Sequence, residues 1–556
     1  MKVTFTTTLS AIVLLATAQT FSKVEINPLQ GTEQFLWADS SKHVYGAGEL
    51  SSFVEMNGVL YFVGQDTYYN YELWATDGTQ QGTHVVKELN QYGGAYIGKL
   101  YKVGNRLLFA ATEDSGSVWD TKFFDLYVSD GTAQGTFKLA DLDEWDNSFL
   151  ESSRVVTFNN KLVFCSSTHI MVSDGTVSGT KQLAPISQYA QGFGYCELNG
   201  KVYFLLQQNS GLQVWSTDGT IQGTIMMKNL TSSSPSLNYA TDMKAHSGKL
   251  YIAGAPSGQG SDLYVYDGNP NGAVTKVQLT NVGSAYPSQL HLYNNRLWMV
   301  AHNQSNINLY VINANHQAMV VSTSAHLPVY GELASGNNRV YFADAEGKTI
   351  YSVAAENDYQ LQQIDLGDKR LPSYWVLGSS FLIAKNGNIY FAVYDSTGEQ
   401  QYFAKSNGTT VETFLPATTN VSHPFNMIVS CGMADVFDFA LFNNKIVVPA
   451  NFDNSGRELW LFEDDDLSPV REIETLQKLT VFPNPASDNV TIVTGQGNYC
   501  QTNIVILDVN GKTILKTTGS ESNVRINTSA LTAGEYIGIL HQEGKAKGIA
   551  RFVITR

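Results

Sequence analysis

The sequence predicts an all-β protein: a single large β-propeller of eight or nine blades, each of four antiparallel strands, and a small C-terminal Ig-like β-sandwich. Three observations predict it. A hairpin motif recurs nine times at a mean spacing of about 48 residues. A second, aromatic strand trails the early copies and runs into an Asp-Gly turn. The composition suits short strands and tight turns, with 47 Gly, 43% apolar residues and only 15% charged ones. Beyond the first twenty residues no stretch keeps the 3.6-residue apolar period of a helix.

The N-terminus reads Met1-Lys2, an apolar run through Ile12-Val13-Leu14-Leu15, then Ala16-Thr17-Ala18. One positive charge, a short apolar segment and a small-x-small site predict a secretory signal peptide over residues 1–18, with the mature chain starting at Gln19. The run is too short to cross a bilayer, and no later segment stays apolar for about twenty residues. The chain is therefore expected outside the cytoplasm, secreted or on the outer cell surface. A net charge of −15 argues against nucleic acid, because phosphate binding needs clustered Lys and Arg.

Within each unit the first signal is an Asn/Gly turn between apolar stretches. It runs from Asn57-Gly58-Val59-Leu60-Tyr61-Phe62 through Asn199-Gly200-Lys201-Val202-Tyr203-Phe204 to Asn443-Asn444-Lys445-Ile446-Val447-Val448. Such a turn needs positive φ at both central residues, which Asn and Gly tolerate. In the first unit Phe53–Met56 and Val59–Val63 are then strands one and two, Glu72–Thr76 is strand three and His84–Leu89 is strand four. Tyr61, Trp74 and Trp215 are expected to fill the space between neighbouring sheets, because one sheet alone leaves that face bare.

Glu72-Leu73-Trp74-Ala75-Thr76-Asp77-Gly78-Thr79, with Gly82-Thr83, has close relatives at Asp125–Thr136, Val172–Thr180 and Gln213–Thr224. It resembles the ELWxxDGT repeat of bacterial extracellular proteins, over roughly residues 45–462 and most strongly in the first four units. The resemblance implies a propeller-like ring over residues 19–462. Phe35-Leu36-Trp37-Ala38-Asp39 echoes strand three and is expected to pair with the last unit and close the ring.

A charged, proline-bearing linker follows over residues 463–475, including Asp464-Asp465-Asp466 and Pro469. Residues 476–556 then supply about seven short strands in roughly 80 residues, which fits a sandwich. Leu479–Ile492 is a strand, a turn stiffened by Pro483 and Pro485, and a strand; Ile504–Leu515 is a hairpin. This stretch resembles the type A C-terminal sorting domain of the type IX secretion system of Bacteroidota. The matching positions are Pro483, Asn484, Pro485, Asp508, Gly511, Gly534 and Tyr536. The resemblance implies passage across the outer membrane by the secretion machinery, removal of the domain by a sortase, and release or attachment to lipopolysaccharide.

No nucleophile elbow, His-Glu-x-x-His pair or phosphate-binding glycine loop is present, so no catalytic residue is assigned. Gly258-Gln259-Gly260-Ser261 reads as a loop, and His84, His169, His246 and His291 occupy unlike positions in their units. Asp77, Asp130, Asp174, Asp218 and Asp267 are weak calcium candidates, since each turn offers a single carboxylate where calcium wants six to eight oxygens. An aspartate accepting hydrogen bonds from its own turn explains them as well. No other cofactor is implied. Of the four cysteines, Cys165 and Cys196 lie in consecutive units, where a disulfide would bridge neighbours; two buried thiols is the other reading. Cys431 and Cys500 match no metal pattern. The functions these features allow are a secreted binding or adhesion protein facing a glycan or protein ligand, a propeller-fold glycoside hydrolase or lyase, or a surface-layer or matrix component.

Overall fold

The computed structural model of the chain describes residues 20–26, most of 53–467 and most of 477–555. Residues 1–19, 27–52, 468–476 and short stretches such as 66–70, 114–122, 372–381 and 494–501 lie outside the described residues. The signal-peptide segment, Phe35–Asp39, Cys431, Cys500, Asp465, Asp466 and Gly511 fall there. The chain divides into two compact units, one of them Ala18–Glu463 and the other centred on Asp464–Arg556.

Among the described residues the first unit contains nine four-stranded antiparallel sheets, numbered in chain order, and a two-stranded hairpin of Asn426–Val429 and Gly432–Asp435 between the last two. Sheet 1 has Val54–Met56, Val59–Gln65, Tyr71–Thr76 and His84–Lys87, within two residues of the strand limits the sequence predicts. Sheets 2–8 repeat this order over Tyr101–Glu144, Val155–Pro185, Gln191–Asn229, Tyr239–Lys276, Ser288–Ser324, Ala334–Asp365 and Leu382–Phe414. In seven of the sheets the turn between first and second strands has positive φ at both central residues, as type I′ hairpins demand, from Asn57 (φ 55°) and Gly58 (φ 78°) to Asn443 (φ 49°) and Asn444 (φ 59°).

Sheet 9 is assembled from both ends of the unit. Ala440–Phe442, Lys445–Ala450 and Glu458–Glu463 supply three strands, and Thr20–Val24 is the fourth. Thr20 pairs with Glu463 and Val24 with Leu459. Phe35–Asp39 lies outside the described residues, and the strand that completes sheet 9 is Thr20–Val24. Its short Phe-x-x-Val pattern was a weak signal beside the aromatic echo further on.

Each sheet is covered by its two neighbours. Tyr61, Leu73 and Phe109 pack between sheets 1 and 2, Leu108, Leu126 and Phe164 between 2 and 3, and Val163, Val172 and Phe204 between 3 and 4. The series continues through Leu205 with Ile252, Tyr251 with Met299, Val300 with Phe342 and Tyr341 with Phe391. Phe403 of sheet 8 meets Phe462 of sheet 9, ring centroids 5.0 Å apart. Trp74 and Phe62 of sheet 1 then pack on Val447 and Leu461 of sheet 9. That last core closes the circle, so all nine sheets hide both faces and the unit is a nine-bladed propeller.

The first strands of sheets 1–6 lie against one another and form the inner wall. Because the strands alternate in direction, the first-to-second turns and third-to-fourth loops share one face of the ring. The leading ends of the first strands, the second-to-third loops and the links between sheets share the other.

The second unit is a sandwich. A five-stranded sheet runs Gln477–Lys478, Lys545–Ile554, Gly534–Gln542, Thr502–Asp508, Thr513–Gly519, and a three-stranded sheet runs Thr480–Phe482, Asn489–Val493, Asn523–Asn527. Val490, Ile492 and Ile526 of the smaller sheet pack on Ile504, Ile506 and Phe552 of the larger.

Candidate functional site

The repeated Asp-Gly-Thr loops join third and fourth strands and satisfy themselves. In sheet 1, Asp77 Oδ1 accepts from the Thr79 N–H at 2.8 Å and from the Thr79 hydroxyl at 2.7 Å. The Gly82 N–H donates to Thr79 Oγ1 and the Gly78 N–H to Thr76 Oγ1, each at 3.0 Å. Thr83 Oγ1 donates to the Thr79 carbonyl at 2.7 Å. The same bonds recur around Asp130, Asp174 and Asp218. Asp267 keeps one of them, from the Asn269 N–H at 2.9 Å. The threonine bonds hold the carboxyls of Asp77, Asp130, Asp174 and Asp218 below their ordinary range. The second glycine of the motif is required by space: a Cβ at Gly82, Gly135, Gly179 or Gly223 would overlap the aspartate carboxylate of its own loop. Each calcium candidate therefore sits alone in its own turn, its Oδ1 occupied. Among the described residues no three His, Cys, Asp or Glu side chains gather where they could hold a metal ion.

The acidic residue that opens strand three has a separate task, which the sequence pattern did not reveal. Glu72 is fully buried and accepts from the Leu89 and Asn90 N–H groups at 3.1 and 3.2 Å, stapling the link to sheet 2. Burial pushes its carboxyl up to about 8. Asp125 accepts from Leu142 N–H at 2.6 Å and Asp262 from Ala285 N–H at 2.9 Å. Glu458 accepts from the Ile26 N–H at 2.5 Å, so the ring closure carries the same staple.

Cys165 and Cys196 are not joined, which corrects the disulfide expectation. Cys165 lies in the core between sheets 3 and 4, accepting from the Tyr195 hydroxyl at 3.2 Å. Cys196 lies in the core between sheets 4 and 5, so sheet 4 separates them. Burial raises the Cys196 thiol to about 12.

A polar cluster occupies the inner wall instead. Three residues before the hairpin turn the first strand carries Val54 in sheet 1, Val156 in sheet 3, Ala334 in sheet 7 and Ala440 in sheet 9, and in sheet 2 Tyr101, whose hydroxyl donates to the Leu150 carbonyl. In sheets 4, 5 and 6 the same position holds Cys196, Lys244 and His291. Lys244 Nζ pairs with Asp242 Oδ1 at 2.9 Å, and His291 Nε2 lies 2.7 Å from Ser335 Oγ of sheet 7. Burial raises the Asp242 carboxyl and lowers the His291 imidazole, with Lys244 adding to the latter. Sequence reasoning passed over this cluster because its members come from different units and share no motif. His246 is separate from it, buried and 3.0 Å from the Asn313 carbonyl.

In the sandwich, Asn484 behaves as a backbone mimic: its Oδ1 accepts from Val553 N–H at 2.9 Å and its Nδ2 donates to the Arg551 carbonyl at 3.2 Å. Pro483 and Pro485 flank it in the same turn. The Tyr536 hydroxyl donates to the Thr532 carbonyl at 3.0 Å, its ring stacks on Phe552, and Asp508 pairs with Tyr536 across the sheet, two residues from Gly534.

Residues 480–555 match the secretion system C-terminal sorting domain family. None of the curated proteins matches the chain. Solved structures similar to it include prolyl oligopeptidase B from Galerina marginata, at 12% identity over 62% of this chain and 56% of that one with a TM-score of 0.37. TolB from Acinetobacter baumannii is 12% identical over 55% and 78%, TM-score 0.28. The polysaccharide lyase Uly1 is 11% identical over 70% and 96%, TM-score 0.33. The chain spans little more than half the length of the prolyl endopeptidases and oligopeptidases, 54% to 57%. The sorting domain marks the chain as a cargo of type IX secretion, secreted or held on the outer surface. Among the described residues no helix is long and apolar enough to cross a membrane.

Proposed function

We propose that this exported ring is a binding or adhesion protein that presents one of its faces to an extracellular glycan or protein. One observation carries the reading: the inner wall, apolar at the equivalent position in sheets 1, 3, 4, 7 and 9, turns polar at Lys244 and His291 in sheets 5 and 6. A half-buried Lys–Asp pair and a His–Ser pair are not needed to close a propeller, and such groups cluster where a ligand is held. The glycosidase alternative asks for two carboxylates flanking one bond. Asp242 has Lys244 as the charged group acting on it, and the repeated aspartates are held in their own loops. In the same reading residues 1–18 are the export signal, 19–462 the ring, 463–475 a linker and 476–556 the domain that the secretion machinery and a sortase handle, with lipopolysaccharide as the anchor of any retained fraction. The test is to apply the full chain to a glycan array and to extracellular proteins alongside chromogenic glycosides. Saturable binding without turnover is expected; release of product from any glycoside would overturn the assignment.

A further inference from the structure

We infer that the face carrying the leading ends of the first strands holds a subsite for a neutral polysaccharide, centred on Tyr239 and Tyr286. This rests on the binding reading above and deepens it by naming the site and the ligand class.

Tyr239 and Tyr286 occupy the same position in adjacent sheets 5 and 6, each eight residues ahead of its hairpin turn at Ser247 and Asn294. Both first strands carry an irregularity just inside that end, between Ala240 and Asp242 and between Ser288 and His291, so the register after it matches. The two strands pack side by side. Yet both tyrosines remain open, 59% and 54% exposed, where most aromatics of the ring are buried between sheets. Tyr286 is also held in place. Its φ of 46° is one a tyrosine seldom takes, its N–H donates to the Ser261 carbonyl at 2.8 Å, and its ring meets His302 edge-on with centroids 5.9 Å apart. Gly260 makes room for it, since a Cβ there would come within 2.5 Å of the Tyr286 hydroxyl oxygen. The Gly-x-Gly loop at 258–260 thus serves as a seat for this ring.

Along the same two strands, three residues past Tyr239 and five past each tyrosine, stand Asp242, Lys244 and His291, with Ser335 beside the last. Two exposed tyrosines at one end of neighbouring sheets, with charged and neutral hydrogen-bonding groups further along the same chain segments, match a pyranose chain, which offers apolar C–H faces and hydroxyl edges at once. The Lys244–Asp242 pair cancels its own charge, and the chain as a whole is at −15. Both features favour an uncharged glycan over a polyuronate.

The experiment uses the full chain and its Tyr239→Ala, Tyr286→Ala, double-Ala and double-Phe variants. Affinity electrophoresis and calorimetry are run against xyloglucan, mixed-linkage β-glucan and galactomannan, with alginate as the acidic probe. The expected result is binding of at least one neutral polymer, weakened at least tenfold in the double-Ala variant and less than threefold in the double-Phe variant, at an unchanged melting temperature. Wild-type-like binding by the double-Ala variant would overturn this site and leave the binding reading intact. Retention by alginate alone would overturn the ligand class, and capture of proteins but of no glycan would overturn the subsite while sparing the broader function. Binding of neither would sink both.

Discussion

Sheets 1–4 and sheets 5–8 share the same four-stranded plan but differ in the loop that joins strands three and four. The first four carry the full self-bonded Asp-Gly-Thr loop; sheet 5 keeps Asp267 with one bond. Sheet 6 substitutes Asn313, whose Oδ1 accepts from Asn315 and Gln317. Sheet 8 rebuilds the loop with a neutral residue: Asn407 Oδ1 accepts from the Thr409 N–H and hydroxyl at 3.0 and 2.8 Å, and Gly408 N–H donates to Ser406 Oγ. The ring closes across both halves. Burial between sheets therefore holds the propeller, while the loop satisfies local polar groups. A loop that works equally with an amide does not depend on a carboxylate.

The sharpest way to break this comparison is to remove burial rather than a loop. Deleting residues 20–26 strips buried Val24 and Ile26, together with a whole strand of sheet 9. It should cost at least about 4 kcal/mol, at about 1.5–3 kcal/mol per buried aliphatic side chain, read from urea midpoints. A loss under 1 kcal/mol would mean that the ring does not rely on its closure. Within the loops, Gly223→Ala forces a Cβ into the Asp218 carboxylate and should cost about 2 kcal/mol. Gly58→Ala, at φ 78° with open space around it, should cost about 1 kcal/mol. Equal effects would show that crowding at the second glycine is unimportant.

Glu72 gives a comparison in pH. Its folded carboxyl sits near 8 against an ordinary 4.5, so its contribution is full below pH 4.5 and is lost as the pH rises towards 8. Wild-type stability should fall across that window more steeply than that of Glu72→Gln, measured by thermal melts at fixed ionic strength. Parallel curves would mean that the staple is not the titrating group. The smallest effects belong to the loop acids: Asp174→Ala should lose about 1 kcal/mol, and Asp174→Asn should stay within about 0.5 kcal/mol of wild type, because Asn407 already performs the same task. A large loss in the Asn variant, reversed by added calcium, would reinstate a metal there.

Much of the ring was legible because its signals are local. Asn57-Gly58 and its counterparts fix a hairpin through two adjacent φ angles, and Asp77 satisfies a turn two residues away. What escaped notice depends on pairings distant in sequence. Thr20–Val24 finds its partner more than 400 residues later, and five residues of modest pattern carry no mark of it. Glu72 looks like an ordinary strand residue until the link at Leu89 and Asn90 folds over it. Cys165 and Cys196 lie in consecutive units along the chain, yet each side chain enters a different core, with sheet 4 between them. The inner-wall cluster joins one or two residues from each of several units, and a repeat pattern hides such departures by averaging over them.

Hydrogen–deuterium exchange on Thr20–Ile26 tests the closed nine-sheet ring most directly. A closed ring predicts that these amides exchange as slowly as those of Ile446–Val448 in the same sheet. Exchange at the rate of a loose chain end, with Ile446–Val448 still protected, would contradict it.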